Sequence, residues 1–445
     1  MIEQKSKWFG SIPKEWSVTS LKKAISLAYR YPTYYGIDYV DDGILEVRGE
    51  MLRTDGQISL ENSSPRYISL ETSNRFPLTI LEKGDLVISV RGTIGKVGIV
   101  DEDIAGSNIT ANLLRLKIIK KLFVPEYLFW LIRNHVFLAH LNNVSDSTTI
   151  KTITLPTFLS IEIPSPTLLV QNKIVKYLNQ KVQSIDNIVV QKQNLINLLE
   201  QQRQSLITEA VTKGLNPNVK MKDSGVEWIG AIPEHWEVNR ISYISRVKAR
   251  LGWKGLKAEE YVDEGYGFLS TPNIKNREID FKNINFISEE RFLESPEIIL
   301  EQNDVLLAKD GSTLGIVNIV RELPIPSTVN SSIAVIRPKE TITGVYLHYY
   351  LKSKPMQDTI NQIKGGMGVP HLFQADINKF KVTLPPVYEQ YEITNFLDTE
   401  ILKLEKLVTD IKGQIEKLKE YRQSLIYEAV TGKIDVTEME LEEVR

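Results

Sequence analysis

The run LDTEILKLEKLVTDIKGQIEKLKEYRQSLIYEA, residues 397–429, decides the fold of this chain. Its apolar residues alternate by four and three positions, which is the spacing of a coiled-coil seam. The run contains no proline, so we predict one uninterrupted helix. Its apolar seam residues are Leu397, Ile401, Leu404, Val408, Ile411, Ile415, Leu418 and Leu425, and Arg422 is a polar member of the same seam.

The same spacing occurs 219 positions earlier in the chain. Each run lasts about 40 residues, enough for a helix of about 60 Å. We expect the two equivalent helices to pack antiparallel on one another, with polar seam residues fixing the register; the alternative is that each helix is buried on its own domain. The apolar seam residues of the first run are Leu178, Val182, Ile185, Val189, Ile196, Leu199 and Leu206, and Lys192 and Arg203 are its polar members.

Outward from the helices the whole chain is a duplication. RQSLITEAVTKG (203–214) matches RQSLIYEAVTGK (422–433), and WFGSIPKEWSV (8–18) matches WIGAIPEHWEV (228–238). These two Trp-Pro motifs hold four of the six tryptophans. We expect each motif to dock the start of a domain onto the end of a long helix; base stacking by the tryptophans is the alternative.

The repeat predicts the order of domains along the chain. The globular segments show short β-branched runs broken by glycine turns, at 84–100 and 303–320, and helical spacing at 125–142 and 345–361. The predicted fold is α+β, with two pseudo-symmetric α/β domains joined by two long helices packed as an antiparallel coiled coil. Its parts are a first domain (1–165), a first long helix (166–213), a linker (214–229), a second domain (230–384), a second long helix (385–433) and an acidic tail (434–445).

Composition excludes several classes of protein. The chain of 445 residues is 42% hydrophobic and 25% charged, which is typical of a globular protein, and no stretch is apolar enough to span a membrane. It has no cysteine, and its N-terminal residues lack the apolar core of a secretory signal, so we expect a cytoplasmic location. The five histidines form no metal-binding cluster. A net charge of −2 leaves nucleic-acid binding open, because one basic face can be offset elsewhere.

Catalytic motifs are missing from the sequence. We find no phosphate-binding G-x-x-x-x-G-K-[ST] loop, no G-x-S-x-G nucleophile elbow, no G-x-G-x-x-G fingerprint and no Asn-Pro-Pro-aromatic motif of adenine methyltransferases. The acidic residues are scattered, so none can be paired as a general acid and base. We therefore expect a non-catalytic chain that binds no metal and no cofactor.

The repeated segments resemble the specificity subunit of type I restriction–modification systems. The resemblance lies in NPNVKMKDSGVEWIGAIPEHWEV (216–238), in the paired helix ends, and in the Gly-Asp-Leu-Val strand at 84–87, and it covers essentially the whole chain. It implies that the two domains are target recognition domains, each reading one half of a bipartite, asymmetric double-stranded DNA site with a non-specific spacer. A helix of about 60 Å spans about 18 base pairs.

The resemblance also implies partners. Two modification subunits would dock on this chain and supply S-adenosylmethionine-dependent adenine-N6 methylation. A restriction subunit would add ATP- and Mg-dependent translocation and cleavage. The alternative is a coiled-coil adaptor that scaffolds protein partners without reading DNA; a third possibility, a self-sufficient methyltransferase, would require this chain to bind S-adenosylmethionine.

Candidate DNA contacts are donors, acceptors and cations on glycine-rich loops, because phosphates and base edges need such groups. The loops SVRGTIGK (89–96), DSTTIKT (146–152), AKDGSTLG (308–315) and KGGMGVPH (364–371) supply most of them. The alternative is that these loops are simple hairpin turns and solvated charges. The candidates are Arg48, Arg91, Thr93, Lys96, Asn108, Thr110, Thr149 and Lys151 in the first domain, and Asn273, Lys275, Lys309, Asp310, Ser312, Thr313, Asn330, Ser331, Ser332, Gly366 and His371 in the second.

Overall fold

The computed structural model of the chain describes residues 5–6, 8–30, 37, 39–53, 55–61, 63–145, 151–250, 256–275, 277–363 and 371–436. The chain divides into two compact units: residues 1–192 together with 413–445 form the first unit, and residues 193–412 form the second. Each unit therefore combines one globular domain with a part of each long helix. The two long helices are Leu168–Lys213 and Val387–Val430.

The first unit is built on two small sheets. One is antiparallel throughout and has the strand order Ile25–Arg30, Leu113–Ile118, Leu86–Ser89 and Val97–Ile99; the other has the order Asn108–Ile109, Ile44–Val47, Tyr67–Ile68 and Tyr39–Val40. Shorter ladders pair Lys5–Ser6 with Gly10–Ser11 and Ser17–Ser20 with Glu162–Ser165. The helices are Leu70–Arg75, Pro125–Arg133, His135–Asn143 and Leu155–Leu159, with 3₁₀ turns at Leu21–Ala24 and Pro77–Thr79.

The second unit repeats this plan. Its antiparallel sheet has the order Ser245–Ala249, Ile333–Pro338, Val305–Ala308 and Val317–Ile319, and its second sheet has the order Asn285–Ile287, Tyr266–Leu269 and Ser327–Val329. Met221–Asp223 pairs with Ala231–Pro233, and Glu237–Arg240 pairs with Lys381–Leu384. The helices are Ile241–Ile244, Glu289–Leu293, Gly344–Lys352, Lys354–Ile363 and Gln374–Lys379, with 3₁₀ turns at Ala258–Glu260, Thr271–Ile274, Pro296–Ile298 and Gly311–Thr313.

Within each unit the two long helices run antiparallel along their seam. In the first unit Arg422 donates to Asp186 (Nε to Oδ1, 2.8 Å) and Lys192 donates to the Gln414 side chain (2.6 Å). In the second unit Arg203 lies 3.8 Å from Glu405. Along the facing pairs the residue numbers rise on the first helix and fall on the second, which confirms the predicted antiparallel packing.

The seam is the face that the helices bury. Every apolar seam residue is buried or half-buried, whereas Leu195, Leu198, Leu402 and Leu407 lie off the seam and are exposed. The ends of the helices also enter the domain cores. Leu178 and Val182 share a core with Leu425 in the first unit, whereas Ala210 and Leu397 share one in the second. The helices thus pack both on one another and on the domains.

The Trp-Pro motifs dock each domain onto the end of a long helix, as the repeat predicts. In the first unit Trp8 Nε1 donates to the Glu162 carbonyl (2.7 Å), and a Cβ at Gly432, which has φ +72°, would lie 3.0 Å from Trp16. In the second unit a Cβ at Gly214, which has φ +77°, would lie 3.1 Å from Trp236. Only glycine combines this left-handed backbone with such close approach.

A buried tyrosine ties each domain to a helix end in the same way. Tyr127 donates to the Val430 carbonyl (3.1 Å) in the first unit, and Tyr346 donates to the Val211 carbonyl (3.0 Å) in the second. Burial raises the pKa of both hydroxyls well above the ordinary value, so both remain donors. Each bond satisfies a carbonyl at a helix C-terminus, where the helix itself offers no partner.

Candidate nucleic-acid interface

Three segments meet at the rim of the antiparallel sheet in the first unit. Val90 donates its backbone N–H to the Asn112 carbonyl (3.0 Å), and Ile153 donates to the Val90 carbonyl (3.1 Å). The turn after strand Leu86–Ser89 is thereby held against the segment that follows Asn108–Ile109 and the segment before helix Leu155–Leu159. We call these three segments the rim platform.

The second unit forms the same rim platform. Lys309 donates its backbone N–H to the Ser332 carbonyl (2.8 Å), and Leu372 donates to the Lys309 carbonyl (2.8 Å). These residues correspond to Val90, Asn112 and Ile153 in the repeat. The platform is thus part of the duplicated backbone and does not depend on the side chains that it carries.

The turn of the first platform is fixed by one serine and two glycines. The Ser89 hydroxyl donates to the Thr93 carbonyl (2.6 Å) and accepts from the Lys96 N–H (2.9 Å). Gly92 and Gly95 have φ values of +80° and +87°, and a Cβ at Gly95 would lie 2.4 Å from Leu138. The backbone groups are therefore satisfied internally, while the side chains of Arg91, Thr93 and Lys96 are exposed.

This turn borders a cavity of about 430 Å³ between the two sheets of the first unit. Five predicted contact residues line it: Arg48, Arg91, Thr93, Lys96 and Thr110. The cations come from different elements, because Arg48 follows strand Ile44–Val47 whereas Arg91 and Lys96 belong to the turn. The fold therefore brings into one cleft residues that are up to 62 positions apart in the sequence.

The side chains that line the cleft carry a net positive charge and include one buried carboxylate. Arg48, Arg66, Arg91 and Lys96 outnumber the carboxylates Glu46 and Glu50 among its lining residues, and Arg48 pairs with Glu50 at 3.0 Å. Glu46 is 5% exposed; its burial raises the pKa of its carboxyl, and Arg48 and Arg66 oppose that rise. Cations suit phosphates, and a carboxylate accepts from the amino group of cytosine.

Sequence reasoning missed Glu46 and Arg66. A signal for Glu46 is present, because it is the single charge in the otherwise apolar strand ILEV (44–47). A charge inside a buried strand is costly unless it is paired or functional. Arg66 has no comparable signal, because it precedes a strand of only two residues, Tyr67–Ile68.

The second platform carries different groups. Asp310 accepts from, or pairs with, the His371 ring at Nδ1, and Thr313 donates its hydroxyl to the Asp310 carbonyl (3.1 Å). Asn330 accepts from the Ser332 N–H (3.2 Å), and Ser312 is exposed at the tip of the turn. Ser331 and Ser332 are half-buried beside them. This surface offers hydroxyls, an amide and an Asp–His pair where the first offers cations.

Three of the predicted DNA contacts are buried in the folded chain, and their polar groups already have partners. Asn108 is 1% exposed; it accepts from Ser73 (2.8 Å) and donates to Thr79 (2.7 Å). Asn273 is 5% exposed; it caps the turn at Ser270 and donates to the Asn283 carbonyl (2.8 Å). Lys309 is 9% exposed, and its ammonium lies 3.4 Å from Asp310. Asparagine beside a turn is as much a structural as a functional signal.

The remaining candidates lie elsewhere. Lys151 is exposed, and its carbonyl accepts from the Gly92 N–H (3.1 Å), so it borders the first platform. Lys275 is exposed but lines a separate cavity beside the long helices of the second unit. Thr149 and Gly366 lie outside the described residues. Among the described residues there is no group of three acidic or histidine side chains suited to a metal ion, and no helix there is long and apolar enough to cross a membrane.

Comparison with known proteins gives a consistent result across the chain. A family model described as "Type I restriction modification DNA specificity domain" matches residues 38–198 and 233–417. Each match contains one rim platform and part of one long helix.

Curated relatives extend over both matches. A type I restriction enzyme specificity subunit of Methanocaldococcus jannaschii, MjaVIII, is 24% identical over 74% of this chain and 74% of its own length. A putative MjaX specificity subunit of the same organism is 26% identical over 96% of this chain and 95% of its own. The EcoBI specificity subunit of Escherichia coli is 23% identical over 67% of this chain and 64% of its own.

Solved structures share the fold. A chain from a structure of a type I R-M system, described for its complex assembly and conformational transition, superposes with a TM-score of 0.74 at 17% identity, covering 95% of this chain and 100% of that one. An HsdS subunit from Thermoanaerobacter tengcongensis superposes with a TM-score of 0.57 at 17% identity, covering 98% of this chain and 100% of its own.

Proposed function

Because this chain belongs to the family of type I restriction–modification DNA specificity subunits, we propose that it reads a bipartite, asymmetric DNA site, one half with each unit. The chain is the non-catalytic, DNA-recognising member of such a system. One observation carries the proposal: the rim platform occurs in both units on the same backbone but with different exposed side chains. A repeated scaffold with changed contacts suits two half-sites of different sequence.

The chemistry of the two platforms supports unequal half-sites. The first cleft combines the cations Arg48, Arg91 and Lys96, so it can pair phosphates. The second platform presents Ser312, Asn330 and the Asp310–His371 pair. Hydroxyl and amide groups donate to and accept from base edges without adding net charge.

We further propose that the long helices organise the partner subunits. Two modification subunits would dock on this chain and bring S-adenosylmethionine, and a restriction subunit would join through them and bring ATP and Mg. Exposed leucines off the helix seam, Leu195, Leu198, Leu402 and Leu407, offer apolar area for such contacts. This role on cellular DNA would place the complex in the cytoplasm.

Footprinting tests the bipartite site. The chain would be assembled with its modification subunits and protected fragments would be mapped on random-sequence DNA. We expect one recurring motif of two unlike half-sites separated by a spacer of fixed length. Sequence-independent protection, or none, would favour a scaffold that does not read DNA.

Methylome sequencing provides the second test. In a host with the chain deleted, adenine methylation should disappear at one bipartite motif and persist at all others. A variant with Arg91→Ala and Lys96→Ala should weaken or relax the half-site read by the first unit and leave the other half-site unchanged. A change in both half-sites would contradict the assignment of one half-site to each unit.

A further inference from the structure

The second unit contains a cavity of about 290 Å³ where its globular domain meets its portions of the long helices. Cations from four separate elements line it. Arg203 comes from the first long helix, Lys352 from the C-terminal end of helix Gly344–Lys352, and Arg321 from the segment after strand Val317–Ile319; Lys275 and Arg277 follow the turn Thr271–Ile274.

The cations of the cavity outnumber the carboxylates that pair with them. Arg321 forms a two-pronged pair with Asp398 (2.8 and 3.2 Å), and Arg277 pairs with Glu405 at 3.0 Å. Arg203 reaches the same Glu405 only at 3.8 Å. In the described part of the chain, neither Lys275 nor Lys352 has a carboxylate within ion-pair distance. Arg277 also lies 3.7 Å from the exposed Glu278. Five cations therefore face three carboxylates.

Burial makes the charge of Lys352 costly. The pKa of Lys352 is lowered to about 8, first by burial and then by the neighbouring Arg203, Arg321 and Arg277, with Glu405 opposing. His348 also lines the cavity; it is 5% exposed, and its Nδ1 atom has no hydrogen-bond partner in the described structure. Uncompensated buried charge and an unsatisfied buried ring nitrogen both destabilise a fold.

The fold itself does not require this excess of cations. The first unit has different contacts at the equivalent place, where its globular domain meets the long helices. Arg133 corresponds to Lys352 in the repeat, Arg422 to Arg203 and Asp186 to Glu405. Arg422 pairs with Asp186 at 2.8 Å, and Arg133 donates to the Asp55 carbonyl (2.8 Å) while its guanidinium covers the rings of Phe129 and Trp130 at 4.7 and 5.2 Å. There two cations are matched by a carboxylate, a carbonyl and two aromatic faces.

We propose that the cavity of the second unit is a binding site for a phosphate group. Converging guanidinium and ammonium donors match the oxygens of a phosphate, and an anion there would offset the surplus charge of Lys275 and Lys352. The volume accommodates one tetrahedral anion with ordered water. The phosphate can come from the backbone of bound DNA or from a free phosphate ion; only the first source rests on the proposed function.

Titration of the full chain with inorganic phosphate, followed by calorimetry in a buffer free of other multivalent anions, tests the site. Lys275→Gln should weaken saturable binding about tenfold, and because Lys275 is exposed, this variant should fold normally. Lys352→Met should have an equal or larger effect. Lys379→Met is the matched control, since the side chain of Lys379 is 72% exposed and lies on helix Gln374–Lys379; it should bind like the parent chain.

Two results would overturn the site: no saturable phosphate binding, or Lys275→Gln and Lys352→Met variants that bind phosphate like the control. Because the cleft of the first unit is also cationic, only the binding lost in these variants is assigned to the cavity.

The salt dependence of DNA binding, measured on the complex with modification subunits, identifies the source. If the phosphate belongs to DNA, Lys275→Gln should reduce the slope of log affinity against log salt by about one unit. If the slope is unchanged while the chain still loses phosphate binding, the ligand is a free phosphate. If the parent complex binds no DNA, the proposed function fails and the phosphate result stands by itself.

Discussion

The turn at residues 91–96 in the first unit and the turn at residues 310–315 in the second follow equivalent strands of the same sheet, yet they present different chemistry. The first exposes Arg91 and Lys96, whereas the second exposes Ser312 and ties Asp310 to His371. Both are held by the same backbone bonds to two neighbouring segments. Backbone bonds and buried residues fix the scaffold, and the exposed tips are free to differ.

The joints between domain and long helix show the same division. Equivalent tyrosines, Tyr127 and Tyr346, close both joints on a helix-end carbonyl. Beside them the first unit gives each of its two cations a partner, whereas the second unit has more cations than carboxylates. Variants made at equivalent positions of the two units therefore separate what the scaffold requires from what each unit has acquired.

The largest expected effect comes from a buried ion pair that the two units build differently. Asp85 accepts from Arg115 at 2.6 Å, and both side chains are 3% exposed. Asp85→Ala should lower the unfolding free energy by about 3–5 kcal/mol, because it leaves a charge buried without its closest partner. Denaturant unfolding followed by hydrogen exchange should locate the loss in the first unit.

The matching substitution, Asp304→Ala, should cost less, about 2–3 kcal/mol. Asp304 pairs with Arg337 at 2.8 Å. Each arginine would keep a second carboxylate and a carbonyl, Glu82 and Leu78 for Arg115 and Glu301 and Ile299 for Arg337, but the Arg337 side chain is 27% exposed and the Arg115 side chain only 3%. Equal losses for the two variants would show that solvent access to the orphaned arginine does not matter.

The next effect concerns the seam, where the two units should behave alike. Leu178 and Leu397 are equivalent in the repeat, and both are 0% exposed. Replacement of either by alanine should cost about 2–5 kcal/mol, and the two losses should agree within about 1 kcal/mol. Leu198→Ala, at a position 59% exposed, is the control and should change the stability of the isolated chain by less than about 0.5 kcal/mol. A large difference between the equivalent leucines would contradict equivalent packing in the two units.

A smaller effect is expected at the rim platforms, and here the units should differ. Arg91→Ala should weaken DNA binding by the assembled complex about tenfold. It should also reduce the slope of log affinity against log salt by about one unit. Ser312→Ala, at the tip of the second turn, should leave the salt slope unchanged, because serine carries no charge. An equal loss of slope in both variants would show that the second platform holds phosphates as the first does.

How much of the fold and of the candidate site could be predicted depends on how far apart in the sequence the interacting residues lie. The seam spacing and the repeated Trp-Pro motifs predicted two helix-linked domains, because periodicity and repetition are local patterns. The cleft was predicted in part, since glycine turns marked Arg91 and Lys96, but they could not show that Arg48 lies in the same cavity. The burial of Asn108 and Asn273 could not be predicted, because a polar residue next to a turn looks the same in the sequence whether it is hydrogen-bonded inside the fold or exposed. The phosphate cavity cannot be predicted from the sequence, because its cations come from segments that only the folded chain brings together.

The smallest effect should appear as a dependence of stability on pH at Lys352. Its pKa is lowered from the ordinary value of 10.5 to about 8 in the folded chain, so between these values the unfolded chain holds a proton that the folded chain lacks. Stability from this group therefore rises as pH increases from about 8 to about 10.5. At pH 7 the charged ammonium costs stability, so Lys352→Met should raise the melting temperature, by a few degrees. That advantage should shrink as the pH is raised through this window.

Lys352→Met leaves in place the other ionisable groups that line the cavity, which are Arg203, Lys275, Arg277, Arg321, Glu405, His348 and Tyr349, as well as the Asp398 that pairs with Arg321. The difference between this variant and the parent chain therefore reports on the Lys352 ammonium. Inorganic phosphate should raise the melting temperature of the parent chain and narrow the difference further, because a ligand that binds only the folded state stabilises it. Lys379→Met should melt at the same temperature as the parent chain at pH 7, and phosphate should stabilise it as it stabilises the parent chain. An advantage of Lys352→Met that stays constant from pH 7 to pH 10 would mean that it does not arise from the charge of the ammonium.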